Sequence, residues 1–377
     1  MHWISDASTR QTPIWRSPAA DETAPADALA AYSTAACGAA VLEPAKAPRT
    51  SRIASLIVRR PMLRLYRILK HMRRIEVVLA LALAAAGRGP ILAQTPQRPP
   101  IIGVAHIGLK TKDMAAARSF YGHDLGFQEP FTLDKPTGGL MLTYFKVNDH
   151  QYIEVFPELK SEEEDRLSHI AFETTNIQQL RDYLAAHDVK VPAALKPGLD
   201  GNVSMMLKDP DGHNVEFVQY MPGSLHSTNF GKFLPATRVS DHIIHVGVTV
   251  KDRAAADRFY KDVLGFREMW HGGMKDVQTD WVDMRVPDGS DWLEYMLKST
   301  NLTPKSRGVL NHLALGVPSV DASYKGLVAR GVQISQPPKI GRDGKWQLNM
   351  YDPDLTRSEL MEPKPVETPC CSPMLDR

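Results

Sequence analysis

The 377-residue sequence has few cysteines and no apolar stretch that suits a membrane span. Its three cysteines are Cys37, Cys370 and Cys371, and none lies between residues 100 and 363. Neither disulfide bonds nor thiolate ligands therefore support a fold in that region. The apolar run at residues 75–86 is shorter than the roughly 20 residues that a transmembrane helix needs. We therefore expect no stable membrane span.

The sequence also lacks a basic surplus where it is expected to fold. The formal net charge is +2, but residues 1–100 alone carry +8, from 14 Lys and Arg against 6 Asp and Glu. The remainder of the chain therefore carries −6, which argues against a basic face for nucleic acid. We expect a small-molecule substrate, no nucleic acid partner, and a monomer or homodimer.

We predict no folded domain in the first hundred residues. Residues 1–71 are rich in Ala, Pro, Ser and Arg without a sustained period, and we interpret them as unstructured or as a mis-assigned start. Residues 72–93 then give two arginines, an apolar run and small residues ending at Ala93, a pattern typical of a secretory signal peptide. This predicts a true start at Met72 and a periplasmic or secreted protein, with the cytoplasm as the alternative. A proline-rich linker follows at residues 94–100.

The rest of the chain repeats one pattern four times. Each module begins with an apolar strand, continues with a polar capping residue and a helical pattern, and ends with three strand-like runs. The modules are residues 101–157, 165–221, 240–298 and 308–363, and the capping residues are Asp113, Asn176, Asp252 and Ser319. The sequence therefore predicts an α+β protein of four βαβββ modules in two domains, 101–222 and 240–363, with a linker at 223–239 and a tail at 364–377.

Two further motifs alternate between the modules. Odd modules share Phe-Tyr, three residues, then Leu-Gly-Phe, at residues 120–127 and 259–266. Helix packing followed by a glycine stop explains this motif. Even modules share an Asp-Pro turn at Asp209 and Asp352, just before the last strand. We assign neither motif any chemistry.

Histidine and glutamate recur in register on the apolar strands, with spacings of 48, 15 and 47 residues in the first half and 49, 18 and 47 in the second. One such histidine alone is more often a hydrogen-bonded core residue than a ligand. Eight residues in register are hard to explain by packing alone, since each of the four His lies on an opening strand and each of the four Glu on a closing strand. Two imidazoles and two carboxylates suit a divalent ion such as Zn, Ni, Co, Mn or Fe. The candidate ligands are His106, Glu154, His169 and Glu216, then His245, Glu294, His312 and Glu359.

The sequence leaves the pairing of these ligands open. Each half could form its own site, or the halves could exchange ligands, combining His106 and Glu154 with His312 and Glu359. Three tryptophans of the second half also allow two interpretations, because they could line a substrate pocket or fill the core. They are Trp281, Trp292 and Trp346.

These modules resemble the vicinal oxygen chelate superfamily, which includes glyoxalase I, extradiol dioxygenases and bleomycin resistance proteins. The resemblance rests on VAHIGL, QYIEVF, LSHIAF and HNVEFV in the first half and on IIHVGV, DWLEYM, LNHLAL and RSELME in the second. It implies two paired domains of that superfamily. The His-Glu-His-Glu order resembles the ligand set of glyoxalase I. That likeness implies a metal-dependent lyase or isomerase that proceeds through an enediolate, with Glu216 and Glu359 as catalytic bases.

Departures from the family patterns keep other functions open. The positions that hold glutathione in glyoxalase I read Lys110 and Glu158 in the first half, so specificity for glutathione is not implied. An extradiol dioxygenase would use His245, His312 and Glu359, but its Tyr before the Asp-Pro turn is replaced by Asn349. The remaining alternative is a non-enzymatic binding protein of the resistance type, which needs no metal.

Overall fold

The computed structural model describes residues 96–297 and 302–375. The predicted signal peptide at residues 72–93 and the segment before it lie outside the described residues. Within the described part, no helix combines the length and apolar character needed to cross a membrane.

The first half of the described chain folds into one curled, seven-stranded sheet. Its spatial order is β2-β3-β4-β1-β5-β7-β6, with β1 parallel to β4, antiparallel to β5, and β5 parallel to β7. The four central strands are thus the opening and closing strands of the two modules. The strands are Ile101–Lys110 (β1), Thr132–Asp134 (β2), Leu140–Lys146 (β3), Tyr152–Phe156 (β4), Leu167–Thr174 (β5), Val203–Lys208 (β6) and Asn214–Gln219 (β7).

The second half forms an eight-stranded sheet with the same central arrangement. Its order is β13-β14-β15-β12-β8-β11-β10-β9, with β8 parallel to β11, antiparallel to β12, and β12 parallel to β15. The strands are Ile243–Thr249 (β8), Arg267–Gly272 (β9), Trp281–Arg285 (β10), Trp292–Met296 (β11), His312–Gly316 (β12), Lys339–Ile340 (β13), Trp346–Tyr351 (β14) and Arg357–Met361 (β15).

All four predicted capping residues are confirmed. Each side chain accepts a hydrogen bond from a backbone N–H in the first turn of its helix, as an N-cap does. The helices are Met114–Arg118 (α1), Ile177–Ala186 (α2), Leu225–Thr228 (α3), Arg253–Ala256 (α4), Pro304–Leu310 (α5) and Val320–Ala329 (α6), with π-helical turns Ser119–Asp124 after α1 and Asp257–Val263 after α4.

The α+β fold of paired modules is confirmed, but one predicted strand is missing. In the second module only β6 and β7 follow α2, and the third predicted strand is reduced to an isolated bridge between Pro197 and Val203. Proline has no N–H to donate to a ladder, and the chain turns at Gly201, whose φ is +83°. The three-strand prediction for this module is therefore wrong.

The two alternating motifs meet across the halves. Tyr121, from the first odd module, donates a hydrogen bond from its hydroxyl to Asp352 Oδ2 at 2.9 Å, and Asp352 opens the turn of the last module. Tyr260 donates in the same way to Asp209 Oδ2 at 3.1 Å. Each tyrosine thus reaches the Asp-Pro turn of the opposite half, which the sequence did not reveal.

A shared core joins the two sheets. One buried apolar cluster contains residues of both halves, and Phe172 and Phe266 meet edge to face at 5.2 Å within it. The first strands of the halves are also tied by side chains. Gln151 Oε1 accepts from Ile243 N at 2.7 Å, and Asp291 Oδ2 accepts from Val104 N at 2.8 Å. The described halves therefore pack as one body.

Candidate metal sites

The first site lies on the concave face of the first sheet. Its four central strands each contribute one side chain: β4 carries Glu154, β1 His106, β5 His169 and β7 Glu216. Side chains alternate along a strand, so one residue from each strand reaches the same face. The ligand set of the first half is thus gathered within one sheet, and the exchanged pairing is not formed.

Gly108 provides the space for this arrangement. It lies opposite His169 in the β1–β5 ladder. A Cβ at this position would lie 2.4 Å and 2.5 Å from two atoms of the His169 ring. A side chain here would therefore displace the imidazole.

The four side chains converge closely. His106 Nε2 lies 2.9 Å from His169 Nε2. Glu216 Oε2 lies 3.4 Å from His106 Nε2 and 3.3 Å from His169 Nε2. The two oxygens of Glu154 lie 3.5 Å and 3.4 Å from the same nitrogens. Ligand atoms bound to one ion at about 2.1 Å and at right angles are about 3 Å apart. His106, Glu154 and His169 each offer a ligand atom within 4.8 Å of the other two, so these three donors suit a single divalent ion. Glu216 contacts both imidazoles but lies outside this group of three.

The charges of this site favour a cation. Burial lowers the pKa of His106, but the carboxylates of Glu154 and Glu216 outweigh burial and raise it to about 9. Burial raises the pKa of Glu216, but its hydrogen bond with His106 prevails and lowers it to about 2. Without a metal, the site is therefore most stable with a proton on His106, which a bound ion would replace.

Aromatic side chains cover the first site. Tyr144 lies opposite Glu154 in the β3–β4 ladder, and Tyr152 lies two residues before Glu154 on β4. His226 on α3 stacks on Tyr220 at 4.8 Å and meets Tyr152 edge-on at 4.5 Å. His226 is 2% exposed, and burial lowers its pKa to about 3. Its Nε2 has no hydrogen-bond partner among the described residues.

His226 is a residue that sequence reasoning missed. It lies in the segment 223–239, which was assigned as a linker, and it has no counterpart in the repeated pattern. Only the tertiary structure brings α3 over the concave face of the first sheet.

The second site repeats the ligand arrangement. His245, Glu294, His312 and Glu359 lie on the central strands β8, β11, β12 and β15. His245 Nε2 lies 3.0 Å from His312 Nε2, and Glu294 Oε2 lies 3.0 Å from His312 Nε2. Glu359 is farther away, with Oε2 3.9 Å from His312 Nε2. Each half therefore contains its own group of four predicted ligands.

An arginine enters the second site. Arg357 Nη2 lies 2.6 Å from His312 Nε2, 3.9 Å from Glu294 Oε2 and 3.8 Å from Glu359 Oε2. It precedes Glu359 by two residues, and the corresponding residue of the first half is Asn214. The amide of Asn214 turns away and donates to Ser168 O at 2.8 Å.

The pKa shifts of the second site run opposite to those of the first. Burial and the Arg357 guanidinium hold the pKa of His312 well below its usual value. Burial also lowers the pKa of His245, despite the opposing charge of Glu294. Burial raises the pKa of Glu359 to about 7, against the effect of Arg357. Two sites with the same ligand set thus differ in charge.

A pocket of about 330 Å³ opens beside the second site. Glu294, Arg357 and Glu359 line it, together with Trp281 and Trp292. These two tryptophans therefore line a pocket, as one interpretation of the sequence proposed, whereas Trp346 packs against the shared core.

The chain tail runs past this pocket. Cys370 and Cys371 form a disulfide between neighbours in the tail, outside both sheets, so it closes no long loop. Cys370 N donates to the carbonyl of Arg342, which also lines the pocket.

Comparisons with known proteins agree with this architecture. The model of the glyoxalase/bleomycin resistance protein/dioxygenase superfamily matches residues 103–217 and 242–360. A variant of homoprotocatechuate 2,3-dioxygenase from Brevibacterium fuscum shares 18% identity at a TM-score of 0.53, over 74% of this chain and 76% of that one. A Mn(II)-bound glyoxalase from Novosphingobium aromaticivorans shares 19% identity at a TM-score of 0.54, over 70% of this chain and 83% of that one.

At such identities, the likeness to solved structures shows the fold alone. Among curated protein sequences, none matches the chain significantly. The family model covers more than half of the chain, in two segments that coincide with the two sheets. The chain belongs to the glyoxalase/bleomycin resistance protein/dioxygenase superfamily.

Proposed function

We propose that the protein is a metal-dependent, glyoxalase-like lyase or isomerase that acts on a small substrate with vicinal oxygens. The observation that supports this proposal is the convergence of two imidazoles and two carboxylates, within 2.9–3.5 Å contacts, in the first site. His106, Glu154, His169 and Glu216 would hold a divalent ion. Room left in its coordination sphere would be taken by a substrate with two adjacent oxygens.

A divalent ion held there would polarise the two substrate oxygens and stabilise the negative charge that develops on them. The chain supplies the proton transfer. Glu216 is our candidate base, since its side chain is 14% exposed, against 7% for Glu154, and its Oε2 contacts both imidazoles. It would remove a proton from one carbon and return it to the next. Glu154 would keep its place beside His106 and His169. The buried side chains of Tyr144, Tyr152 and His226 would limit the access of water.

The test combines metal analysis with a substitution of the base. We expect stoichiometric bound metal in the wild-type protein and exchange of a substrate C–H proton with D₂O, followed by NMR on a panel of α-hydroxycarbonyl compounds and hemithioacetals. Glu216→Gln should lower kcat by about 10²–10⁴-fold, the usual contribution of a general base. Glu173→Gln, which alters a carboxylate on β5 outside the ligand set, is the matched control. Wild-type turnover retained in Glu216→Gln would refute the assignment.

A second candidate is an extradiol ring-cleaving dioxygenase. His245, His312 and Glu359 are a two-histidine, one-carboxylate set of the kind that binds non-haem Fe(II), and two tryptophans line the adjacent pocket. Against it, Asn349 lies opposite Glu359 in the β14–β15 ladder where that family places a tyrosine. Uptake of O₂ by the Fe(II)-loaded protein with catechols would favour this candidate. A complete absence of bound metal would favour a resistance-type binding protein.

We also propose that the protein is exported to the periplasm or secreted. This rests on residues 72–93, whose basic, apolar and small residues follow in the order of a signal peptide. N-terminal sequencing of protein produced from its natural start in a bacterial host should give a chain that begins close to Gln94. Recovery of the uncleaved chain from the cytoplasm would contradict export.

A further inference from the structure

We propose that the Arg357 guanidinium takes the place of a metal ion in the second site, so that the chain binds its metal in the first site only. The inference rests on the metal dependence proposed above. It goes further in giving the two halves different roles. The first half would be catalytic, and the second half would contain a metal-free site beside the pocket.

The imidazole of His312 has a single lone pair, and hydrogen bonds fix which ring nitrogen carries it. His312 Nδ1 lies 2.8 Å from the carbonyl oxygen of Leu310, which can only accept a hydrogen bond. The proton of this imidazole is therefore on Nδ1, and its lone pair is on Nε2. Arg357 Nη2 donates to that Nε2 at 2.6 Å. The electron pair that a metal would need is already engaged.

Arg357 also changes the charge of the second site. The same guanidinium lies within 3.9 Å of Glu294 and within 3.8 Å of Glu359, so it offsets part of the negative charge that would otherwise attract an ion. Lys345 adds a second buried cation, 3.2 Å from Asp343 and 4.5 Å from the centre of the Trp292 ring. A divalent ion at His312 would have to displace Arg357 from His312 and from both carboxylates, and it would meet the repulsion of the guanidinium at close range.

The glutamates of the first site differ from those of the second in their ion pairs. Among the described residues, the ion pairs of Glu154 and Glu216 within 4.0 Å are with His106 and His169, and none is with a lysine or arginine. The cation beside these two carboxylates is thus the protonated His106, whose proton a metal ion can replace, whereas the charge of Arg357 cannot be removed. Asn214 occupies the position of Arg357 and points to Ser168 O.

Burial of Arg357 supports a permanent role. Its side chain is only 14% exposed. Its guanidinium is therefore held by the second site itself, through His312, Glu294 and Glu359.

The experiment counts metal ions in the full chain. Wild-type protein, stripped with chelator and reloaded with Mn²⁺ or Zn²⁺, should retain one ion per chain after dialysis. His169→Ala should lose this ion, and the matched variant His312→Ala should keep it. Arg357→Asn, which copies the first half, should bind two ions. Asn214→Arg, the reciprocal exchange, should weaken binding of the single ion at least about tenfold.

Three results would overturn the inference while leaving metal dependence intact. These are two ions in the wild type, a single ion that His312→Ala removes, or one ion in a folded Arg357→Asn variant. An absence of metal from the wild type and every variant would overturn the proposed function as well. Circular dichroism checks folding, and if Arg357→Asn fails to fold, the two His→Ala variants and Asn214→Arg still decide.

Discussion

At the scale of single residues, a missing side chain matters as much as a present one. Gly108 and Gly247 each lie two residues after the first histidine of their half, opposite the second histidine on the neighbouring strand. A Cβ on Gly247 would lie 2.1 Å and 2.3 Å from atoms of the His312 ring. The two imidazoles of each site therefore approach each other because a glycine leaves room for the second ring.

Gly108→Ala should displace the His169 ring and lower the affinity of the first site for Mn²⁺ by about 10–100-fold, the range typical of disturbed ligand support. Gly247→Ala makes the same change in the second half and should leave Mn²⁺ binding unaltered if Arg357 fills that site. Gly326→Ala, in α6, controls for stability because no atom of the described residues lies within 4 Å of its added Cβ. Titration with Mn²⁺ measures all three. Equal losses in the two site variants would contradict the assignment.

At the scale of elements, the sequence predicted what depends on local chemistry. Capping residues such as Asp113 and Ser319 bond to N–H groups within their own helix, so their roles are visible in a few consecutive residues. The pairing of Tyr121 with Asp352 joins residues 231 positions apart and depends on how the halves pack. The same holds for His226, which reaches the first site only through the placement of α3.

Tyr121→Phe should destabilise the protein by about 1–3 kcal/mol above pH 7, because a buried carboxylate loses a donor. Burial raises the pKa of Asp352 to about 6, although Tyr121 and backbone N–H groups oppose the shift. Loss of the hydroxyl raises this pKa further, and below both values Asp352 is protonated in either protein. The cost of Tyr121→Phe should therefore shrink as the pH falls from 8 to 5.

Urea denaturation at several pH values measures this effect. Asp352→Asn in both backgrounds closes a double-mutant cycle and should remove the pH dependence of the Tyr121→Phe cost. A cost that is constant between pH 5 and 8 would show that the carboxylate does not depend on this hydroxyl.

At the scale of the whole molecule, the chain is a duplication whose halves share a core but differ in their sites. The repeated spacing predicted two equivalent ligand sets. In each half the structure brings the two histidines and the first glutamate of the predicted set within 4.8 Å of one another. The residue that makes them unequal is Arg357, which lies two residues before Glu359 on β15. Strand alternation places both side chains on the same face, but a search for repeated His and Glu passes over a residue whose counterpart is Asn214.

A shared core also predicts how metal removal affects stability. Because Phe172 and Phe266 belong to one apolar cluster, the halves should unfold together in one calorimetric transition. An ion in the first site alone should then raise the stability of the whole molecule, by about 2.7 kcal/mol when free metal is 100 times Kd. At about 2–4 °C for each kcal/mol, the single transition should move by several degrees. His169→Ala should abolish the shift, and His312→Ala should keep it. Two transitions, of which metal moves only one, would show instead that the halves are thermodynamically independent.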